Sequence, residues 1–304
     1  QGRLSINDVS LTEGNSGSQN LTFTVTHTGT SSPFTVNYAT ADNSASAGSD
    51  YTSTSGSLSF TGTDGEPKTI IVPVTGDATV ELDENFYVNL SNISNPGVTL
   101  VDGQGTGTIT NNDAATVSIN NISINEGNSG TTNFTFNATL SHAVNTAVMV
   151  DFNTTPGTAT AGTDYTANNG TLTFSGTAGE IENITILVNG DTDFEAAETF
   201  NAVLSNLQAN GRNVSISTST GVATILNDDP LPVPEMDVFG NGNPVADNAT
   251  MVAINNNTNY GSACIGGTPV VKSFSIQNTG AADLVLDGMP KVVLSGHTAD
   301  FNVS

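Results

Sequence analysis

Gly56-Ser-Leu-Ser-Phe-Thr-Gly-Thr63 returns further along the chain as Gly170-Thr-Leu-Thr-Phe-Ser-Gly-Thr177. In both stretches apolar residues alternate with hydroxyl residues, the period-2 pattern of a strand with one face on a core, and a glycine follows where a turn is needed. Four more pairs flank this one. Val9-Ser-Leu-Thr-Glu-Gly-Asn-Ser-Gly17 matches Ile122-Ser-Ile-Asn-Glu-Gly-Asn-Ser-Gly130, and Ala45-Ser-Ala-Gly-Ser-Asp-Tyr-Thr52 matches Ala159-Thr-Ala-Gly-Thr-Asp-Tyr-Thr166. Gly76-Asp-Ala-Thr-Val-Glu-Leu-Asp-Glu-Asn-Phe86 matches Gly190-Asp-Thr-Asp-Phe-Glu-Ala-Ala-Glu-Thr-Phe200. Gly107-Thr-Ile-Thr-Asn-Asn-Asp113 matches Val222-Ala-Thr-Ile-Leu-Asn-Asp-Asp229, which is one residue longer at its start. One duplicated domain accounts for all five matches.

The alternation continues outside the repeats. Leu21, Phe23 and Val25 share a face, as do Phe34, Val36 and Tyr38, then Phe86, Val88 and Leu90; Phe134, Phe136, Ala138 and Leu140 do the same in the second copy. About seven such strands per copy, separated by turn signals, predict an antiparallel two-sheet sandwich of immunoglobulin-like type. The fold class is therefore all-β, as tandem sandwiches. Composition agrees: 36% of residues are hydrophobic, Trp is absent, and the turn formers Asn, Gly and Asp are abundant. The expected boundaries are residues 1–113 and 114–229 for the two copies and 230–234 for a stiff proline-rich linker (Pro230-Leu-Pro-Val-Pro234). A third β-domain is expected over 235–304, short for a sandwich and so open to being cut, with Val271, Phe274 and Ile276 around Lys272 and Ser275 and a strand at Asp300-Phe-Asn-Val303.

Charge excludes several partners. The chain has 29 acidic residues against 5 Lys plus Arg, a formal net charge of −24. Phosphate backbones and anionic membranes repel such a surface, so nucleic acid is not a partner. No apolar stretch is long enough to insert in a bilayer. Cys264 stands alone, so no intrachain disulfide forms, and it is expected as a small buried filler. The chain starts at Gln1 without a signal segment and is read as a mature or excised fragment. An extracellular protein without disulfides needs another staple for its loops, and a metal ion supplies one.

The acids recur in register. In the first copy they are Glu13, Asp50, Asp77, Glu81 and Glu84, followed by Asn112 and Asp113. In the second they are Glu126, Asp164, Asp191, Asp193, Glu195 and Glu198, then Asn227, Asp228 and Asp229. Each lies where a strand begins or ends. Calcium takes roughly six to eight oxygen ligands, and loops gathered at one end of a sandwich can provide them. The same carboxylates brought together without a cation would repel one another. Calcium is accordingly the expected cofactor.

Catalytic constellations are not evident. His27, His142 and His297 are scattered, and no nucleophile neighbours a base. His27 and His142 fall at corresponding ends of the second strand of each copy and are expected to be exposed. Tyr51 and Tyr165 follow the loop aspartates and are expected to pack beneath the loops as anchors.

Both copies resemble Calx-beta domains, the repeat named for the regulatory region of sodium–calcium exchangers and common in large bacterial surface proteins. The residues carrying the resemblance are Thr160-Ala-Gly-Thr-Asp-Tyr165, Gly76-Asp77 through Leu82-Asp-Glu-Asn-Phe86, and the terminal Asn-Asn-Asp113 and Asn-Asp-Asp229, over residues 4–113 and 116–229. The resemblance implies calcium sites at one end of each sandwich, formed by the acids named above, with backbone carbonyls of Thr79 and Asp193 as further ligands. Gly76 and Gly190 stand where the family's richest binders carry another aspartate, which implies fewer ions. Residues 235–304 resemble choice-of-anchor or ASH-like immunoglobulin-type domains of bacterial secreted proteins, through Asn259-Tyr-Gly-Ser-Ala263, Phe274-Ser-Ile-Gln-Asn-Thr-Gly280, Ala282-Asp-Leu284 and Ser295-Gly-His-Thr-Ala-Asp-Phe301.

The expected protein is a non-catalytic calcium-binding module of an extracellular or cell-surface adhesive protein, in which calcium orders the end loops and stiffens the joints. Its other partners would be further copies or a host or cell-surface ligand. The alternatives are an accessory region of a secreted hydrolase, or a filament subunit completed by strand exchange.

Overall fold

Asn7 and Asp8 break the first apolar run of the chain into β1 (Gly2–Ile6) and β2 (Val9–Thr12). The break lets one run serve two sheets. Asn7 Oδ1 accepts the Thr24 N–H at 2.6 Å in one sheet, and Asp8 Oδ1 accepts the Thr106 N–H at 2.7 Å in the other. Asn120 and Asn121 do the same in the second copy, accepting from Asn137 and Val222 at 2.7 and 2.8 Å. Short side-chain acceptors suit such kinks because they satisfy backbone groups that the ladder abandons.

The computed structural model describes residues 1–247, 251, 253–259, 261, 268 and 270–285. The first sandwich continues with β3 (Gly17–Thr28), β4 (Phe34–Asp42), β5 (Ser55–Phe60), β6 (Glu66–Gly76), β7 (Glu84–Ser91), β8 (Val98–Asp102) and β9 (Gln104–Thr110). Its sheets run β6-β3-β1-β8 and β2-β9-β7-β4-β5. The second sandwich comprises β10 (Ala115–Ile119), β11 (Ile122–Asn125), β12 (Gly130–Leu140), β13 (Val148–Pro156), β14 (Asn169–Phe174), β15 (Ile181–Gly190), β16 (Glu198–Gln208), β17 (Val214–Thr218) and β18 (Thr220–Leu226). Its sheets repeat the order, β15-β12-β10-β17 and β11-β18-β16-β13-β14. Each copy has nine strands rather than the expected seven. The split first run adds one, and a short strand pairing parallel to β1 or β10 adds the other. The pairs β2–β9 and β11–β18 are parallel too, so each sandwich is mixed and not purely antiparallel.

The alternation buries what it should. Leu21, Phe23 and Val25 line the first core with Phe34, Val36, Phe86 and Val88; Phe134, Phe136, Ala138 and Leu140 line the second. Tyr51 stacks on Phe86 (centroids 4.2 Å, interplanar angle 14°) and Tyr165 on Phe200 (4.3 Å, 14°), both tyrosines buried beneath the aspartate loops as expected. Gly48 and Gly162 sit at φ +101° and +99°, a conformation open to glycine, and turn these loops back over the tyrosines.

His27 departs from expectation. It is fully buried, Nδ1 lies 3.0 Å from the Thr63 carbonyl, and the ring contacts Phe34 and Phe60. Strand register shows why the two histidines are not counterparts. His27 pairs with Leu4, whereas the corresponding Val117 pairs with Leu140. A leucine therefore fills the place of His27 in the second copy.

The chain divides into two compact units, residues 1–191 with 196–227, and residues 192–195 with 228–304. The two sandwiches meet inside the first unit. Val80, in the loop after β6, is fully buried among Val117, Leu140 and Val144 of the second core. Its N–H donates to the Ala143 carbonyl at 2.8 Å, and its carbonyl accepts the Asn145 N–H at 3.2 Å. The second unit contains a three-stranded antiparallel sheet of β19 (Met236–Gly240), β20 (Asn243–Val245) and β21 (Phe274–Asn278), ordered β20-β19-β21. Cys264, His297, the stretch 295–301 and the expected strand at 300–303 lie outside the described residues. Among the described residues no helix is long and apolar enough to cross a membrane.

Candidate metal centre

The first sandwich gathers its sequence-predicted acids at one pole. Glu13 follows β2, Asp50 lies between β4 and β5, Asp77, Thr79 and Glu81 lie between β6 and β7, Glu84 opens β7, and Asn112 and Asp113 follow β9. Carboxylate oxygens of Asp50, Glu81 and Glu84 approach within 4.8 Å of one another. Glu13 and Asp113 are buried, at 4% and 5% exposure.

Backbone amides hold several of these groups. Asp50 Oδ2 accepts the Ser46 N–H at 2.7 Å, and Asp77 Oδ1 accepts the Thr79 N–H at 2.6 Å. Asn112 ties two loops together. Its Oδ1 accepts the Gly14 N–H at 2.9 Å and its Nδ2 donates to Asn15 Oδ1 at 3.1 Å, so its side chain clamps the Glu13 loop. Asn15 in turn donates to Asp113 Oδ1. Asp113 Oδ2 is buried and has no hydrogen-bond partner. An anionic oxygen without a partner is costly to bury, and a cation beside it removes the cost.

Electrostatics report the crowding. Burial, then the charges of Glu81, Asp77, Asp113 and Asp50, push Glu13 up to about 7. Burial, then Asp50 and Glu81, push Glu84 to about 7, and burial, then Asp50 and Asp77, raise Glu81. Burial and the charge of Asp77 raise Asp113. Burial first, and neighbours of like charge after it, thus raise all four acids from their ordinary values. The donors are all oxygens, which suits a hard divalent cation. A buried acceptor lacking a partner and carboxylates that resist ionisation without a counter-charge both fit an ion.

Gly76 explains why the pole has fewer acids than it might. A Cβ there would lie 2.3 Å from the Gly14 carbonyl oxygen, and at Gly190 it would lie 2.0 Å from that of Gly127. The strand end and the glutamate loop touch, leaving no room for a side chain.

The second sandwich presents the same loops. Glu126 follows β11 and is buried, and Asp164 Oδ2 accepts the Thr160 N–H at 2.6 Å as Asp50 does from Ser46. Glu198 opens β16, and a carboxylate oxygen of it comes within 4.8 Å of one of Asp164. Asp191, Asp193 and Glu195 fall between β15 and β16, and Asn227, Asp228 and Asp229 follow β18.

Four residues at or near the first pole were not anticipated. Asp83 accepts the Asn111 N–H at 3.0 Å, and Asp42 accepts from the Tyr51 hydroxyl at 2.6 Å. From the second sandwich, Asn145 Nδ2 donates to Glu81 Oε1 at 3.1 Å, and Arg212 Nε donates to Asn145 Oδ1 at 2.9 Å. Arg212 is one of only 5 Lys plus Arg in the chain, which was the one signal available beforehand.

Fold and pole together define a class: tandem β-sandwiches, each with carboxylates converging from its loops at one end. The Calx-beta domain family model matches residues 8–120 and 110–230, and the chain belongs to that family. Among solved structures, the chain is similar to CBD12 from CALX1.2 (20% identity, 73% of this chain and 99% of that one, TM-score 0.35) and to the calcium binding domain CBD12 of CALX1.1 (20%, 72% and 98%, 0.35). It is also similar to the apo-form Calx CBD1 domain, with 32% identity over 37% of this chain and 98% of that one, at a TM-score of 0.33. No curated protein matches.

Proposed function

We propose that this chain is a non-catalytic calcium-binding module of an extracellular adhesive surface protein, in which calcium orders the loop pole of each sandwich and stiffens the joint that follows. The observation carrying the first half is Asp113 Oδ2, buried without a partner beside Glu13 in a pole whose acids raise one another's pKa. Family membership supports the choice of ion, and one similar solved structure is named a calcium binding domain. The ligand set in the first sandwich is Glu13, Asp50, Asp77, Glu81, Glu84 and Asp113, with the Thr79 carbonyl. In the second sandwich the corresponding set comprises Glu126, Asp164, Asp191 and Glu198.

Stiffening follows from the place of Glu81. It stands next to Val80, which belongs to the neighbouring core, so an ion held by Glu81 restrains a loop anchored in two domains. The composition and charge suit a secreted surface protein, with residues 235–304 as a further immunoglobulin-type domain. Calorimetric titration of the chain with calcium tests the reading. Glu84→Ala and Glu198→Ala should each remove binding from one sandwich and leave the other's intact; unchanged stoichiometry in both variants would reject these ligand sets.

A further inference from the structure

Strands β6 and β15 occupy the same edge of corresponding sheets, yet their edges are built differently. Register aligns them: Leu21 pairs with Val72 in the first sandwich and Phe134 with Ile186 in the second. Pro67 and Pro73 of β6 therefore correspond to Ile181 and Leu187 of β15. Proline has no N–H to give an incoming strand, and edge prolines are a standard protection against unwanted pairing. The second copy lacks that protection. Ile181 and Leu187 are large apolar side chains at 52% and 41% exposure on the outer face. No proline or lysine occurs between Ile181 and Gly190.

The C-terminal half of this edge is already engaged. Leu187 O accepts the Thr166 N–H at 2.8 Å, Asn189 N–H donates to Asp164 O at 2.9 Å, and Asn168 Nδ2 reaches Thr185 O at 3.2 Å. These bonds show that odd-numbered residues turn their backbone groups outward. The N-terminal half, Ile181 to Thr185, presents the N–H groups of residues 181, 183 and 185 with no hydrogen bond among the described residues. Only Glu182 in this stretch is charged, and Glu180 beside it is held as an acceptor by the N–H groups of Ser175, Gly176 and Thr177.

We propose that Ile181–Thr185 is a docking edge for an extended, basic segment of another protein, which adds to the β15-β12-β10-β17 sheet as a further strand. The open ladder supplies the backbone bonds, and Ile181 and Leu187 supply apolar contacts on the outer face. Charge selects the partner. A second copy would bring another −24 charges to a ladder of a few residues, whereas lysine-bearing strands are drawn to it.

A short peptide of alternating valine and threonine with lysine at each end is the probe, titrated against the full chain, with a glutamate-ended peptide as control. The lysine peptide should bind at least tenfold more tightly than the control, and slow hydrogen exchange at the Asn183 and Thr185 amides. The I181P/L187P double variant, which copies the prolines that β6 tolerates, should lose that binding at least tenfold. Ile181→Lys keeps every ladder bond and should weaken it as well, so the result does not depend on the prolines folding. No binding at millimolar peptide, equal binding by both variants, or protection elsewhere would overturn the proposal. So would a β15-dependent dimer in sedimentation, because the occupant would then be a second copy.

Discussion

Asn145 of the second sandwich donates from Nδ2 to Glu81 Oε1 of the first at 3.1 Å, one residue beyond the Val80 side chain that lies in the second core. The loop that offers a carboxylate to the pole is thus also an anchored part of the neighbouring domain. Val80→Ala should lower the stability of the second sandwich by about 2 kcal/mol, the order expected for removing buried methyl groups. Chemical denaturation, following probes in the second sandwich, checks this. If only the first sandwich weakened, Val80 would be a loop residue and not a core residue.

Calcium should raise the thermal midpoint, because only the folded chain assembles the ligands. A hundredfold excess over the dissociation constant contributes roughly 2.7 kcal/mol. Asp113→Asn gives the sharper test, since its two effects have opposite signs. It removes a buried charge one of whose oxygens, Oδ2, has no partner, so the metal-free protein should become more stable, while the gain on adding calcium should shrink. A variant that lost stability in chelator yet kept the full calcium gain would show that Asp113 holds the fold and not the ion.

Proton competition follows from the raised carboxyls. Glu13 and Glu84 titrate near the usual 4.5 in the unfolded chain and near 7 in the folded metal-free protein, chiefly through burial. Between those values the folded form holds more protons than the unfolded form. Metal-free stability should therefore fall as pH rises from 4.5 to 7 and level off above. Calcium must displace the same protons, so its affinity should climb over that window and flatten beyond pH 7. Titration calorimetry across pH 5 to 8 reads both the affinity and the protons released. A flat affinity would mean that neither glutamate is a ligand.

The fold was legible where one residue type decided one geometry. Alternation at Leu21, Phe23 and Val25 marked a half-buried strand, and the glycine in Ala-Gly-Ser-Asp50-Tyr51 marked a turn above a buried ring. Glu13, Asp50, Asp77, Glu81, Glu84 and Asp113 stood out because a duplicated chain shows each of them twice, whereas Asp42 and Asp83 occur in the first copy alone. Legibility failed where the answer depends on a partner distant in sequence. Asn7 looks like a loop residue until Thr24 is seen to need its oxygen. His27 looks like a solvated strand end, yet Phe34 and Phe60 close over it. Nothing local marks Val80 or Asn145 as joint residues, because their roles exist only once the second sandwich is packed against the first.

The joint itself should respond to calcium. Asp113 leads through Ala114 directly into β10, and Asn213 Nδ2 reaches the Asp113 carbonyl at 3.4 Å, so the pole and the second domain share backbone. In chelator the crowded carboxylates should let the Asp77–Glu84 loop move more freely about its Val80 anchor. With an ion bound the loop should be held, with Glu81 fixed between the pole and Asn145. Small-angle scattering on residues 1–229 should therefore give a broader distance distribution in chelator than in millimolar calcium, with one dominant maximum dimension when the ion is present. Asn145→Ala separates the joint from the site. It should leave most of the calcium affinity but restore part of the breadth, because it cuts the tie between Glu81 and the second sandwich. Identical scattering of the unsubstituted fragment in both conditions would reject stiffening even where calorimetry records binding.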